Sequence, residues 1–365
     1  MKPSWNEIGR DPFIEDIRNK NTDGVLVARV VAQDGPLFEI VSSEGTGYAR
    51  PSGRLDYLIE LGTTHPPAVG DYVEVGSGGT PTIRSVLPRR SVYERKEAGV
   101  RTEAQVICAN VDVALIVTTA PAEAVRNEAD RSMLHDFNVR RVERFIATLD
   151  PAVRPVVVVN KCDLVAEPEL VRRAIEAQLP AVEVRLISAL DGAGVETVRA
   201  LVPEGSTAVL VGSSGSGKST LIGRLTGESV RTGAIRETDG RGRHTTTGRR
   251  MYALPGGGLL VDTPGVREVQ LWSGADGAEQ LGSAFPEIDA LAARCKFNDC
   301  THRSEPGCAV RQAVQDGTVS HERYLSYLGL HDEQDVIAAR QEKRERLNER
   351  RSARRSRMKR RSRGS

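Results

Sequence analysis

Residues 208–219 read Ala208-Val209-Leu210-Val211-Gly212-Ser213-Ser214-Gly215-Ser216-Gly217-Lys218-Ser219. The first four form an apolar run of strand type, and a helical stretch opens near Lys218. Between them G-x-x-x-x-G-K-[ST] is matched without departure. Glycines at this spacing let backbone N–H groups turn inward around phosphate oxygens, and the following helix adds the positive end of its dipole. Lys218 is placed for β- and γ-phosphates and Ser219 for Mg²⁺. Ser213, Ser214, Ser216 and Thr220 complete the candidate phosphate-binding set. Apolar strand-type runs alternate with helical patterns on both sides of this loop. They predict an α/β domain with a largely parallel sheet covered on both faces.

Downstream, Asp262-Thr263-Pro264-Gly265 follows the apolar run 258–261. A carboxylate at a strand end can hold Mg²⁺ through water, and the Gly265 N–H can meet a γ-phosphate. Between the two elements lies the polar run Asp239 to Thr247. Thr246, or failing it Thr245, can complete a Mg²⁺ shell in the triphosphate state only, as a switch loop does. Val266 stands where a water-orienting polar group is needed, and its side chain cannot do that work. His244 is the internal candidate for orienting water.

Upstream, Asn160-Lys161-Cys162-Asp163 ends the apolar run 156–159. An Asp here can accept from N1–H and the 2-amino group of guanine; adenine offers neither donor there. The Lys161 stem can cover the base face, and Asn160 can brace the phosphate loop. Ser188-Ala189, at the end of the next strand, can give a backbone N–H to guanine O6. The base-reading element thus precedes the phosphate loop. That order describes a circularly permuted sheet, in which the chain after Asp262–Gly265 leads directly into the C-terminal region.

The flanks differ in character. Residues 24–96 show short β-type runs (25–32, 37–42, 71–75, 82–87) separated by Gly/Pro/Ser clusters, which fits a small barrel of OB or SH3-like type. Residues 276–340 read as helical, interrupted by Cys295, Cys300, His302 and Cys308. Three thiols and one imidazole form a closed tetrahedral set for structural Zn²⁺. Cys108 and Cys162 lie at or beside apolar strands and read as small buried side chains. The predicted organisation is an arm and OB-fold barrel over 1–96 and a permuted nucleotide-binding domain over 97–272. A helical zinc-binding domain over 273–339 and a basic tail over 340–365 complete it.

The net charge of +2 over 365 residues conceals an asymmetry. Residues 340–365 hold 13 Lys and Arg against 3 Asp and Glu, leaving 38 basic and 46 acidic side chains elsewhere. An acidic body with a basic tail points to nucleic acid. No apolar run reaches 18 residues, and the segment Met1 to Phe13 has no apolar core. Those facts predict a cytoplasmic protein without membrane spans or a secretory signal.

Together these residues closely resemble one family, the bacterial small-subunit-dependent GTPases of the RsgA/YjeQ type. The resemblance covers most of the chain. It rests on the barrel, the order of Asn160–Asp163 and the phosphate loop, Arg243-His244-Thr245-Thr246-Thr247, Asp262-Thr263-Pro264-Gly265-Val266 and the Cys/His cluster. It implies hydrolysis of GTP to GDP and phosphate, stimulated by the 30S subunit during its late maturation. It also implies GTP/GDP with Mg²⁺, one structural Zn²⁺, and the 30S particle and its rRNA as partners of a monomer. The arginine-rich tail is not implied. Two rival readings remain: a related permuted GTPase of the large subunit or another structured RNA, and an RNA-binding module with a vestigial nucleotide site.

Overall fold

The computed structural model describes residues 2–8, 26–76, 81–96, 104–134, 137–227, 249–263 and 277–339. A short helix, α1 (Trp5–Ile8), precedes five strands: β1 (Leu26–Asp34), β2 (Leu37–Ser42), β3 (Gly45–Pro51), β4 (Tyr72–Gly76) and β5 (Thr82–Val86). They hydrogen-bond in the order β1-β2-β3-β5-β4, and β4 returns to β1, closing a barrel. The β3–β5 pair is parallel and the others are antiparallel. Helix α2 (Gly53–Glu60) lies between β3 and β4, and the Ser52 side chain caps it by accepting from Leu55 N. This is the OB arrangement rather than the SH3-like one. Sequence reading missed β3 because two glycines and a proline interrupt it and only Ala49 is buried. Its pairing with β2, from Phe38–Ala49 to Ser42–Gly45, forms the strand regardless.

Next come β6 (Val92–Lys96) and β7 (Ala104–Ala109), which pair with each other, then β8 (Val113–Thr119), α3 (Val139–Ile146), β9 (Arg154–Asn160) and α4 (Pro168–Gln178). They are followed by β10 (Glu183–Leu186), α5 (Val195–Arg199), β11 (Thr207–Gly212), α6 (Lys218–Thr226), β12 (Arg250–Ala253) and β13 (Leu259–Asp262). The strand order is β10-β9-β8-β11-β13-β12, parallel throughout except for β12, which runs antiparallel to β13. Val156, Val157, Val158 and Val159 are all fully buried, as strands covered on both faces require. The phosphate-loop strand β11 is central, between the two strands it would adjoin in an unpermuted chain. Permutation has moved the chain ends and left the sheet intact.

Barrel and sheet are continuous. Strand β12 pairs with β13 on one side and with β1 on the other, where Arg250 lies opposite Asp262 and Ala32 respectively. Gln33 N also donates to Arg249 O at 3.2 Å. The result is one sheet of 11 strands. Arg29 of β1 is wholly buried at this joint. It donates to Gly70 O at 3.1 Å, to Asn110 O at 3.2 Å and to Thr207 Oγ1 at 3.0 Å, with its guanidinium 4.9 Å from the Tyr72 ring centroid. A buried cation needs this density of acceptors.

The C-terminal unit is helical: α7 (Gly277–Ala284), α8 (Pro286–Ala292), α9 (Ala309–Gln315) and α10 over residues 321–339. Phe285 is fully buried, edge-on to Tyr327 at 5.5 Å and beneath the Arg323 guanidinium at 4.3 Å. Arg323 in turn grips Glu287 through two hydrogen bonds of 2.6 and 3.2 Å. Among the described residues, no helix is long and apolar enough to cross a membrane.

Candidate nucleotide site and metal centre

The loop from Gly212 to Ser219 joins the end of β11 to the start of α6. Gly212 has φ of 141°, and a Cβ there would sit 2.1 Å from Val117 O on the neighbouring strand. Gly217 has φ of 90°, and its Cβ would lie 2.2 Å from Asn160 Nδ2. Only glycine satisfies both requirements. Ser216 is fully buried, and its hydroxyl donates to Ser213 O at 2.9 Å.

Lys218 folds over the loop and donates to Gly212 O at 2.8 Å and Ser213 O at 2.5 Å. Burial lowers its pKa, and the Asp262 carboxylate opposes that shift. Asp262, at the end of β13, is the mirror case: burial raises its pKa and Lys218 pulls it back. Thr263 Oγ1 donates to Leu210 O at 2.9 Å, tying the segment after β13 to β11.

Strand β9 delivers Asn160 and Asp163 to the same region. Asn160 Nδ2 donates to Ser216 O at 2.8 Å, and its Oδ1 accepts from Ala189 N at 2.9 Å. One amide thus joins the phosphate loop to the turn after β10. Lys161 has φ of 65°, and its ammonium donates to Met133 O at 2.7 Å. Asp163 Oδ1 is buried and has no hydrogen-bond partner among the described residues. The amide N–H groups of Ser188 and Ala189 are already committed, to Ala193 O and Asn160 Oδ1. The N–H of Leu190, which sequence reading passed over, has no partner among the described residues. Cys162 lies beside these groups with its thiol pushed up to about 11, chiefly by burial, so it behaves as a packed side chain. Burial also pushes the fully buried Cys108 up to about 12.

Sequence reasoning also missed Arg224. It sits on α6 and donates to Ala189 O and Leu190 O, a contact that no motif signals. Thr245, Thr246, His244 and Gly265 lie outside the described residues, as does the tail from residue 340.

In the C-terminal unit, the donor atoms of Cys295, Cys300, His302 and Cys308 all lie within 4.8 Å of one another. His302 Nδ1 is 3.5 Å from both Cys295 Sγ and Cys308 Sγ, and those sulfurs are 3.9 Å apart. Ordinary zinc bond lengths in a tetrahedron place sulfurs about 3.8 Å apart and sulfur about 3.6 Å from nitrogen. The donor set therefore fits Zn²⁺. All three thiols are free, so no disulfide competes. Burial raises the Cys295 pKa, but N–H donors from Ala309 and Val310 and the neighbouring thiols bring it below the ordinary value. Arg311 N donates to Cys308 Sγ at 3.4 Å, and Tyr324 Oη donates to His302 O at 2.8 Å. These contacts hold the ligands from α9 and α10.

Comparison with known proteins agrees with this geometry. Residues 86–272 match the family model described as RsgA GTPase. A small ribosomal subunit biogenesis GTPase RsgA from Streptomyces coelicolor is 38% identical, covering 94% of this chain and 88% of the relative. One of the same name from Methanosarcina acetivorans is 43% identical, covering 91% and 84%. The crystal structure of YjeQ from Thermotoga maritima superposes with a TM-score of 0.59 at 25% identity, covering 85% of this chain and 98% of that one. The chain is therefore a member of the RsgA GTPase family.

Proposed function

We propose that this GTPase acts in biogenesis of the small ribosomal subunit, hydrolysing GTP to GDP and phosphate with stimulation by the 30S particle. The particle assignment is supported by relatives bearing that name over nearly the whole chain. The observation that carries the guanine reading is the buried, unpartnered Asp163 Oδ1. A carboxylate oxygen buried without a donor costs free energy, which N1–H and the 2-amino group of guanine would relieve on binding the Asp163 carboxylate. Asn160, Lys161, Ser188 and Ala189 frame the base. The backbone from Gly212 to Gly217, with Ser213, Ser214, Ser216 and Thr220, cradles the phosphates. Lys218 turns from the loop carbonyls to the β- and γ-phosphates.

Ser219, Asp262 and Thr246 are placed by sequence to hold Mg²⁺, which when bound neutralises charge building between the phosphates. Gly265 contacts the γ-phosphate through its N–H, and His244 orients water in place of the apolar Val266. Cys295, Cys300, His302 and Cys308 hold one structural Zn²⁺. The OB barrel, the zinc-binding unit and the basic tail provide surfaces suited to folded rRNA, and the tail makes that binding salt-sensitive. The protein works as a cytoplasmic monomer.

Hydrolysis measured alone, with purified 30S and with 50S tests the reading. The expected result is slow intrinsic turnover accelerated by 30S only. Stimulation by 50S alone would transfer the assignment to the large subunit, and no hydrolysis anywhere would mark the site as vestigial.

A further inference from the structure

The turn at residues 188–193 follows β10, and every backbone N–H in it can be accounted for. Ser188 N donates to Ala193 O at 2.9 Å, and Gly192 N to Ser188 O at 2.8 Å. Ala189 N donates to Asn160 Oδ1 at 2.9 Å, Asp191 N to Ser188 Oγ at 3.4 Å and Ala193 N to Asp191 Oδ1 at 2.9 Å. Only the Leu190 N–H lacks a partner among the described residues of this turn.

Arg224 determines where that N–H points. Its Nε donates to Ala189 O at 3.0 Å, and its Nη2 donates to Leu190 O. The Ala189 carbonyl and the Leu190 N–H belong to one trans peptide unit, so they point in opposite directions. Gripping the carbonyl therefore fixes the N–H facing away from Arg224. The preceding peptide unit is fixed at both ends, through Gly192 N and Asn160 Oδ1. The arginine itself is held at its root, because Arg199 Nη2 donates to Arg224 O at 2.9 Å. Arg224 sits on α6, the helix that begins at the phosphate loop, so one rigid element organises both ends of the nucleotide site.

We propose that Arg224 is a positioning residue for guanine recognition, aiming the Leu190 N–H at guanine O6. The proposal rests on the guanine reading above. Asp163 takes the two donors of the base and Leu190 meets its one acceptor at that edge. Adenine carries an amino donor where guanine has O6, so it opposes the Leu190 N–H directly.

The test is a fluorescence titration of the full-length protein with GDP, ADP and 6-thio-GDP. The sulfur analogue keeps N1–H and the 2-amino group but replaces O6 with a poor acceptor. Wild type is expected to prefer GDP over 6-thio-GDP. Arg224→Ala should weaken GDP on the order of tenfold, the range of one lost hydrogen bond. It should weaken 6-thio-GDP much less, so the ratio falls toward one. Arg224→Lys, with a single donor group, should fall between. An unchanged GDP affinity, or equal losses for GDP and 6-thio-GDP, would overturn the proposal. If Arg224→Ala does not fold, an unchanged ratio in Arg224→Lys overturns it equally. Failure of wild type to prefer GDP to ADP would remove the guanine reading itself, and this proposal with it.

Discussion

Replacing Asn160 with alanine removes a side chain that joins the phosphate loop to the base-side turn. Asn160 is 1% exposed, and its amide serves Ser216 O at 2.8 Å and Ala189 N at 2.9 Å. Both partners are backbone groups that lose their hydrogen bond in the variant. Each orphaned buried group costs about 1–3 kcal/mol, so the two together amount to roughly 2–6 kcal/mol. For a domain of about 150–250 residues, each kcal/mol lowers the melting midpoint by about 2–4 °C. Nucleotide-free Asn160→Ala should therefore melt roughly 4–24 °C below wild type, followed by circular dichroism. Its GDP affinity should fall as well, because the loop and the turn no longer share a brace. A midpoint and an affinity both indistinguishable from wild type would refute the reasoning. The hydrogen bonds would then have been replaced by water at no cost.

Four further outcomes are expected. Asp163→Asn should weaken GDP at least tenfold and admit xanthine nucleotide, whose 2-oxo group the new amide can meet; equilibrium titration of both nucleotides decides this. Asp262 has a raised folded pKa, so the folded state holds its proton more tightly than the unfolded chain. Its contribution therefore falls as pH rises from 3.8 through the raised value, and nucleotide-free Asp262→Asn should gain stability relative to wild type across that window. A relative loss in urea melts would reverse the sign and contradict the assignment. Purified protein should carry one zinc by elemental analysis, and Cys308→Ser should lose it and expose the C-terminal helices to protease while GDP binding persists. His244→Ala should lose particle-stimulated hydrolysis with nucleotide affinity intact; undiminished stimulation would remove the water-orienting role.

Much of the site was readable from the chain because its parts are local. A phosphate loop is one contiguous segment whose glycines have individual steric reasons. Gly212 and Gly217 show those reasons as approaches of 2.1 and 2.2 Å. The zinc ligands fall within one short stretch, and their chemistry names the metal class. The parallel strands were legible because burial on both faces requires apolar runs such as 156–159. Strand β3 was not, because its order comes from its neighbours rather than from its own composition.

The sequence alone determined which segments exist and in what order, and order is what identified the permutation. Tertiary structure decided how segments distant in the chain share hydrogen bonds. Arg29 reaches Thr207 across the joint between barrel and sheet, Asn160 ties Ser216 to Ala189, and Arg224 fixes the peptide unit between Ala189 and Leu190. Motifs record what each backbone segment must do by itself. The direction of a single N–H depends on which carbonyl a remote side chain grips, and that is settled only when the strands are side by side.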